Sequence, residues 1–223
     1  MQNFNIVRKI QPSKSFRTDK IINMFDIDIA SYTENFSGVF EMPQSWNIGV
    51  IVGMSGTGKT TIAKNLFKVW EEPKYSDKSI VDEIGVDKTF EEVIKVLSQV
   101  GFSSPPSWLK PFHVLSNGEK MRVNLANALL SNDETIVFDE FTSVVDRNVA
   151  KIVSIVVSKN IRKSNKKFIA VTCHNDIVEW LDPDWIFNTA NMEFEVKKKD
   201  RQLKSLFENQ KEMFGSILAN III

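Results

Sequence analysis

The stretch Gly53-Met54-Ser55-Gly56-Thr57-Gly58-Lys59-Thr60 has the residue types and order needed to hold a polyphosphate. Its glycines let the backbone take conformations that turn successive N–H groups toward one point. A helix starting at the end of the loop adds its positive terminus, and Lys59 adds an ammonium that reaches the terminal phosphates. The Thr60 hydroxyl is a hard oxygen ligand suited to Mg²⁺. Gly53, Ser55, Gly56, Thr57, Gly58 and Thr61 are the remaining candidate nucleotide contacts of this segment. A glycine-rich turn before an ordinary helix is the plain alternative. The continuous β-branched run Ile48–Val52 before the loop, and the helical pattern from Thr61 to Trp70 after it, argue against that reading. The expected ligands are a nucleoside polyphosphate and Mg²⁺.

A second cluster, Asp139-Glu140, directly follows the apolar run Thr135–Phe138. A carboxylate at the C-terminal end of a buried strand, near a phosphate loop, can hold Mg²⁺, which is the role expected of Asp139. Glu140 beside it is the candidate base for an attacking water. In isolation the pair would read as a solvated acidic turn. Ser116 and Glu119 form a capping box for a helix from Asn117 to Leu130, which is a complete local explanation of both residues. The same helix N-terminus is also able to bind phosphate.

The order of these pieces over residues 53 to 174 resembles that of ATP-binding-cassette ATPases. Leu115-Ser116-Asn117-Gly118-Glu119 is similar to the family signature Leu-Ser-Gly-Gly-Gln, and Arg122 to Leu129 resemble the helix behind it. Asp139 to Asp146 looks like the second acidic motif running into the D-loop, and His174 falls where the family places its switch histidine. The resemblance implies a head-to-tail homodimer that sandwiches two ATP molecules and hydrolyses them. Ser116 and Gly118 of one copy would contact the γ-phosphate held by Lys59 of the other. Glu140 and His174 would join Lys59 in catalysis, and Asp146 would communicate across the dimer. The family also carries an adenine-stacking aromatic upstream of the phosphate loop. Tyr32 and Phe36 are the candidates for it, with Phe25 behind them.

The match departs from the pattern at several positions. Asn117 and Glu119 replace Gly and Gln, Phe141 replaces a Pro, and Asn127 replaces an Arg. Ser116 follows Lys59 by 57 residues, a shorter interval than in transporter ATPases, and no Q-loop glutamine can be placed between them. Gln99 falls in a predicted helix, and Asp82-Glu83 is a weak substitute. In transporters that region meets the membrane subunit, so its reduction favours a soluble ATP clamp acting on a protein or nucleic-acid partner. The energy subunit of a membrane transporter is the alternative. The stretch Gly101 to Pro111 resembles a soluble branch whose cassettes are elsewhere fused to a predicted acetyltransferase, although no such domain fits within this chain.

Strands that alternate with helices must position these residues: Ile48–Val52, Thr135–Phe138 and Phe168–Thr172 with helices at 90–100, 117–130 and 149–162. The expected fold is an α/β phosphate-loop NTPase sandwich, three-layered, with a mostly parallel core sheet. A small antiparallel part is expected over residues 1 to about 45, with Met24–Ile29 as one strand. A shortened helical lobe is expected over 71–115, and a helical extension over 193–223. The chain has 223 residues, 43% of them apolar, which suits a sizeable core. Lys+Arg and Asp+Glu both number 28, so no net field marks a nucleic-acid binder, and the basic runs at 162–167 and 197–199 read as solvated surface. Cys173 has no possible disulfide partner within the chain. With no run long enough to span a bilayer, a cytoplasmic location is expected.

Overall fold

Phe4 and Ile6 are buried while Asn3, Asn5 and Val7 are exposed, and Phe36 and Phe40 are buried between exposed neighbours. This alternation gives two strands that each bury one face. In the computed structural model, which describes residues 2–9, 11–28 and 33–197, they are β1 (Gln2–Lys9) and β2 (Thr33–Phe40). They pair antiparallel, with Phe4 opposite Gly38, Ile6 opposite Phe36, and Arg8 opposite Glu34.

Between them lies α1 (Phe16–Met24), where a strand was expected over Met24–Ile29. Ser15 accepts a hydrogen bond from the Thr18 N–H and starts the helix. Phe25, at the C-cap, donates its N–H to Ile21. The alternating Phe25-Asp26-Ile27-Asp28 is therefore the exit from the helix and not a strand, and Ile29 lies outside the described residues.

The main sheet is built from β3 (Ile48–Val52), β4 (Thr135–Phe138), β5 (Lys167–Thr172), β6 (Trp185–Asn188) and β7 (Glu193–Val196), in the spatial order β4-β5-β3-β6-β7. β3, β4, β5 and β6 run parallel and β7 closes the edge antiparallel. All five residues of β3 are buried, as a strand covered on both faces requires. Glu193–Val196, expected at the start of a helical extension, pairs with β6 instead. The rest of that expectation, with the apolar Ile217–Ile223 tail, lies outside the described residues.

The helices are α2 (Lys59–Leu66), α3 (Ile80–Glu83), α4 (Phe90–Gln99), α5 (Pro105–Trp108), α6 (Asn117–Leu130), α7 (Arg147–Arg162) and α8 (Asp176–Leu181). α2 stops short of the expected Trp70. Phe67 turns extended, and Val69 forms a parallel bridge with Val137 while the Trp70 N–H donates to the Val137 carbonyl at 2.8 Å. Packing Trp70 flat on Phe138, with centroids 5.5 Å apart, rewards leaving the helix. α3, α4 and α5, with a 3-10 turn at Phe112–Val114, make up the short helical lobe.

Two apolar clusters flank the sheet. One joins Ile48, Val50, Leu125, Val153 and Phe168 to the helical lobe. The other joins Phe4, Phe36 and Phe40 of the hairpin to Ile51, Trp185 and Phe187. The second cluster lays the β1–β2 hairpin against the end of the chain's phosphate loop.

Candidate nucleotide site

β3 delivers the chain into Gly53, and the loop ends at Gly58, the N-cap of α2. Gly56 and Gly58 both have φ of +83°, the left-handed region where a side chain would be strained. At Gly58 space is closed as well: a Cβ there would lie 2.3 Å from the Phe36 ring. Phe36 is therefore a buried support beneath the loop, and its ring is not free to stack on a base.

Lys59 is buried, and its Nζ donates to the Met54 carbonyl at 2.8 Å. Its ammonium is thus held across the loop by an acceptor that phosphate oxygens can replace. The Thr57 hydroxyl also reaches the Met54 carbonyl and meets the Thr189 hydroxyl. Thr189, buried just after β6, was not singled out by any sequence motif.

Ser55, Gly56, Gly58, Lys59, Thr60 and Thr61 line a cleft of about 270 Å³, and Glu140 lines it with them. The topology does this by seating β5 between β3 and β4, so that the ends of all three strands open toward one side. Glu140 has φ of +51°, and its carbonyl accepts from the Ser143 hydroxyl and N–H. A left-handed glutamate is a costly conformation, of the kind retained where a side chain must be aimed. Buried Phe141 anchors the turn, donating its N–H to Val171 at 2.9 Å and packing edge-on to Phe168. A bulky ring at that position is thus accommodated as core.

Asp139 accepts from the Glu140 N–H and lines a second, adjoining cleft of about 320 Å³ with Glu140, Trp70, Glu72 and Asn117. Among the described residues no group of three or more His, Cys, Asp or Glu is arranged to hold a metal. A threonine hydroxyl and one carboxylate, both hard oxygen donors, fit Mg²⁺ that arrives with phosphate oxygens and keeps several waters. Glu72 is a functional candidate that the sequence did not reveal. It is fixed by the Asn124 amide, which donates to it at 2.6 Å, whereas Glu83 accepts from the Ser76 N–H and Gln99 from Asn160.

Ser116 caps α6 as expected. Its hydroxyl accepts from the Glu119 N–H, and the Glu119 carboxylate accepts from the Ser116 N–H at 2.9 Å. These hydrogen bonds hold the Glu119 carboxyl below the usual carboxylate range. Gly118 approaches the segment after Glu140, where an added Cβ would lie 3.4 Å from Val145. Neither Ser116 nor Gly118 lines the cleft of the phosphate loop in its own chain. His174 does not line it either; its N–H is held by the Thr172 hydroxyl. Asp146 caps α7, accepting from the Asn148 and Val149 N–H groups. Tyr32 lies outside the described residues, and Phe25, 67% exposed, does not line the cleft.

A dimeric cassette in a post-hydrolysis state, bound to ADP and Pi, superposes with a TM-score of 0.60 at 14% identity, over 74% of this chain and 93% of the other. A bacterial ABC transporter cassette solved as a dimer superposes at 0.56, with 13% identity over 70% and 87%. The chain has the fold of an ATP-binding cassette. In sequence it is 28% identical over 169 residues to the energy-coupling factor transporter ATP-binding protein EcfA1 of Mycoplasma genitalium, covering 75% of this chain and 53% of that one. It is 26% identical over 165 residues to the zinc import ATP-binding protein ZnuC of Pseudomonas aeruginosa, covering 63% and 55%. The chain thus spans about half the length of these curated relatives, and 21% of the macrolide export protein MacB of Campylobacter fetus. No protein-family model matches it. Nothing in these relatives points to an acetyltransferase partner domain.

Proposed function

We propose that this cassette binds Mg-ATP, hydrolyses it at a site completed by a second copy, and serves as the energy subunit of a membrane transporter. The carrying observation is that Glu140 shares the phosphate-loop cleft while Ser116 and Gly118 stand outside it in the same chain. Donors that serve only their own helix cap within one copy suit a γ-phosphate presented by another.

Loop N–H groups and the Lys59 ammonium bind the phosphates, Lys59 giving up the Met54 carbonyl to do so. Thr60 and Asp139 would supply oxygens to hold Mg²⁺, and the ion when bound would neutralise phosphate charge. Glu140 takes a proton from the water whose oxygen attacks the γ-phosphorus. The bond to the ADP oxygen breaks in the same step, leaving ADP and inorganic phosphate. His174 orients the phosphate being released, and Tyr32 is retained as a contact to the nucleotide. The base at Glu140 leaves the chain poorly suited to act as a passive nucleotide sensor.

The transporter assignment follows the relatives, which are transporter ATP-binding proteins, over the protein or nucleic-acid partner favoured by the short helical lobe. The basic run at 162–167 supports this choice, since three of its four cations have structural partners. Arg162 pairs with Asp184, Lys166 donates to the Leu129 and Ser131 carbonyls, and Lys167 lies over the Trp46 ring. Among the described residues no helix is long and apolar enough to cross a membrane, so the transport pathway would belong to a partner subunit.

Glu140→Gln should abolish phosphate release and accumulate an ATP-bound dimer in gel filtration with Mg-ATP. A variant that stays monomeric while the wild type also releases no phosphate would sink the hydrolytic reading. Co-purification from detergent-solubilised membranes tests the rest. Absence of any polytopic membrane subunit, alongside intact ATPase activity, would return the soluble clamp to first place.

A further inference from the structure

α4 and the C-terminal ends of α6 and α7 frame a cleft of about 610 Å³. Ser116 caps the opposite end of α6, a helix of 14 residues and so about 21 Å long. The cleft is therefore separate from the nucleotide site. Four ammonium groups line it, those of Lys88, Lys95, Lys163 and Lys166, against the single carboxylate of Glu92.

Two of these cations are built into the fold. Lys166 donates to the Leu129 carbonyl at 2.9 Å and to the Ser131 carbonyl, so its charge is held but not neutralised. Lys88, with a side chain only 21% exposed, donates to Asn132 at 2.6 Å and pairs with Asp87 at 2.9 Å. Burial, and then the nearby Lys88 ammonium, push Lys166 below the usual lysine value. The other two cations are uncommitted: Lys95 and Lys163 form no ion pair among the described residues. The carboxylates nearby are already engaged, Glu92 by the Thr89 N–H at 2.9 Å and Asp133 by Lys68 at 3.0 Å. Gln99 accepts from the Asn160 amide at 3.0 Å through its oxygen, which leaves its NH₂ as a further donor lining the cleft.

We infer that this cleft is a second anion site, which takes a small multivalent oxyanion, a polycarboxylate or a phosphate compound. Lysines on an ordinary surface spread into water, whereas Lys88 and Lys166 are pinned side by side at a cost in mutual repulsion. An anion seated between them and the two free ammoniums removes that cost. The excess of cations over the one carboxylate calls for more than a single negative charge on the ligand. The volume is that of a small-molecule pocket. Lys+Arg and Asp+Glu balance over the chain, so no broad field favours a long polyanion such as nucleic acid.

Calorimetry with citrate and with inorganic pyrophosphate, in metal-free buffer, is the test, and circular dichroism checks the folding of each variant. The wild-type chain should bind at least one of them with a Kd of about 1 mM or tighter. Binding of citrate alone assigns the site to carboxylates, of pyrophosphate alone to phosphates, and of both to charge; each supports the inference. Lys95→Ala combined with Lys163→Ala should weaken binding about tenfold, the worth of two exposed ion pairs together. Lys95→Arg with Lys163→Arg, which keeps both charges, should retain it. Lys88 and Lys166 are left intact because their bonds belong to the fold. Lys14→Ala with Lys20→Ala, neither of which lines the cleft, should change nothing. Lys59→Met, which disables the phosphate loop, should also leave both affinities as they are. Binding of neither anion overturns the inference. So does an affinity untouched by the Lys95 and Lys163 alanines, or an equal loss in the Lys14 and Lys20 pair. A loss in Lys59→Met would place the anion in the phosphate loop and overturn it as well.

Discussion

The Thr57 and Thr189 hydroxyls lie 2.6 Å apart, tying the middle of the phosphate loop to the residue just after β6. Thr189 is fixed in turn, since its N–H donates to the Val52 carbonyl at 2.8 Å. A Cβ on Gly53 would come within 2.1 Å of the Thr189 oxygen and 2.9 Å of the Thr57 oxygen. Gly53→Ala should therefore push the loop off its support and weaken Mg-ATP by at least roughly tenfold, a loss near 1.4 kcal/mol. Adding Thr189→Ala should recover part of that loss, because it removes the nearer of the two obstructing oxygens. Calorimetry on the single and double variants checks both steps; additive losses would show that the obstruction lies elsewhere.

Glu72 lines the cleft that holds Asp139 and Glu140 but not the cleft of the phosphate loop. It should therefore affect turnover more than ATP affinity. Glu72→Ala is expected to lower kcat by about tenfold, equivalent to about 1.4 kcal/mol on the barrier. Its Kd for Mg-ATP should change less than about twofold. Glu72→Gln keeps an oxygen for the Asn124 amide and should fall between the two. Steady-state kinetics paired with calorimetry separates the effects, and a rise in Kd matching the fall in kcat would place Glu72 in binding.

The two motifs that the sequence made most legible are those whose chemistry is local. β3, β4 and β5 are continuous β-branched runs because both their faces are covered, and α6 announces itself through Ser116 and Glu119. The phosphate loop and the Asp139-Glu140 pair were readable for the same reason, each following a recognisable strand. α1 was not, because Phe25 to Asp28 mimics a half-buried strand while the Ser15 cap that starts the helix lies well upstream. Glu72 was invisible because its placement depends on Val69 bridging Val137, a long-range pairing with no local pattern. Phe36 was ambiguous for a related reason: only the hairpin's register with the loop reveals that its ring lies under Gly58.

The α6 cap predicts an acid-side dependence of stability. Glu119 is held below its ordinary value by hydrogen bonds from the Ser116 N–H and hydroxyl, so the folded state favours the carboxylate. Its contribution is present above the unfolded glutamate value of about 4.3 and is lost as pH falls through the lower folded value. Glu119→Gln keeps an acceptor for Ser116 but cannot titrate. The stability gap between wild type and this variant should shrink as pH drops from about 5 toward 3. Urea unfolding across that range is the measurement, and a gap constant with pH would contradict the assignment.

Asp184 tests how far the fold reaches into the site. Its side chain is 9% exposed, and one carboxylate oxygen accepts from the Asn47 and Ile48 N–H groups at 2.7 and 2.9 Å. Arg162 approaches it at 3.2 Å from the end of α7. These bonds pin the first residue of β3, the strand that carries the phosphate loop. Removing the carboxylate leaves two backbone donors and a guanidinium without it, and breaking one side of a buried pair costs about 3 kcal/mol. For a chain of 223 residues that is a fall in Tm of about 6–12 °C. Asp184→Asn keeps an oxygen for the backbone donors and should lose less. Combining it with Arg162→Met in a double-mutant cycle isolates the ionic part. Mg-ATP affinity measured well below the transition should stay near the wild-type value, since β3 remains paired on both sides by β5 and β6. A large loss of affinity at a temperature where the variant is folded would mean instead that Asp184 sets the position of the loop itself.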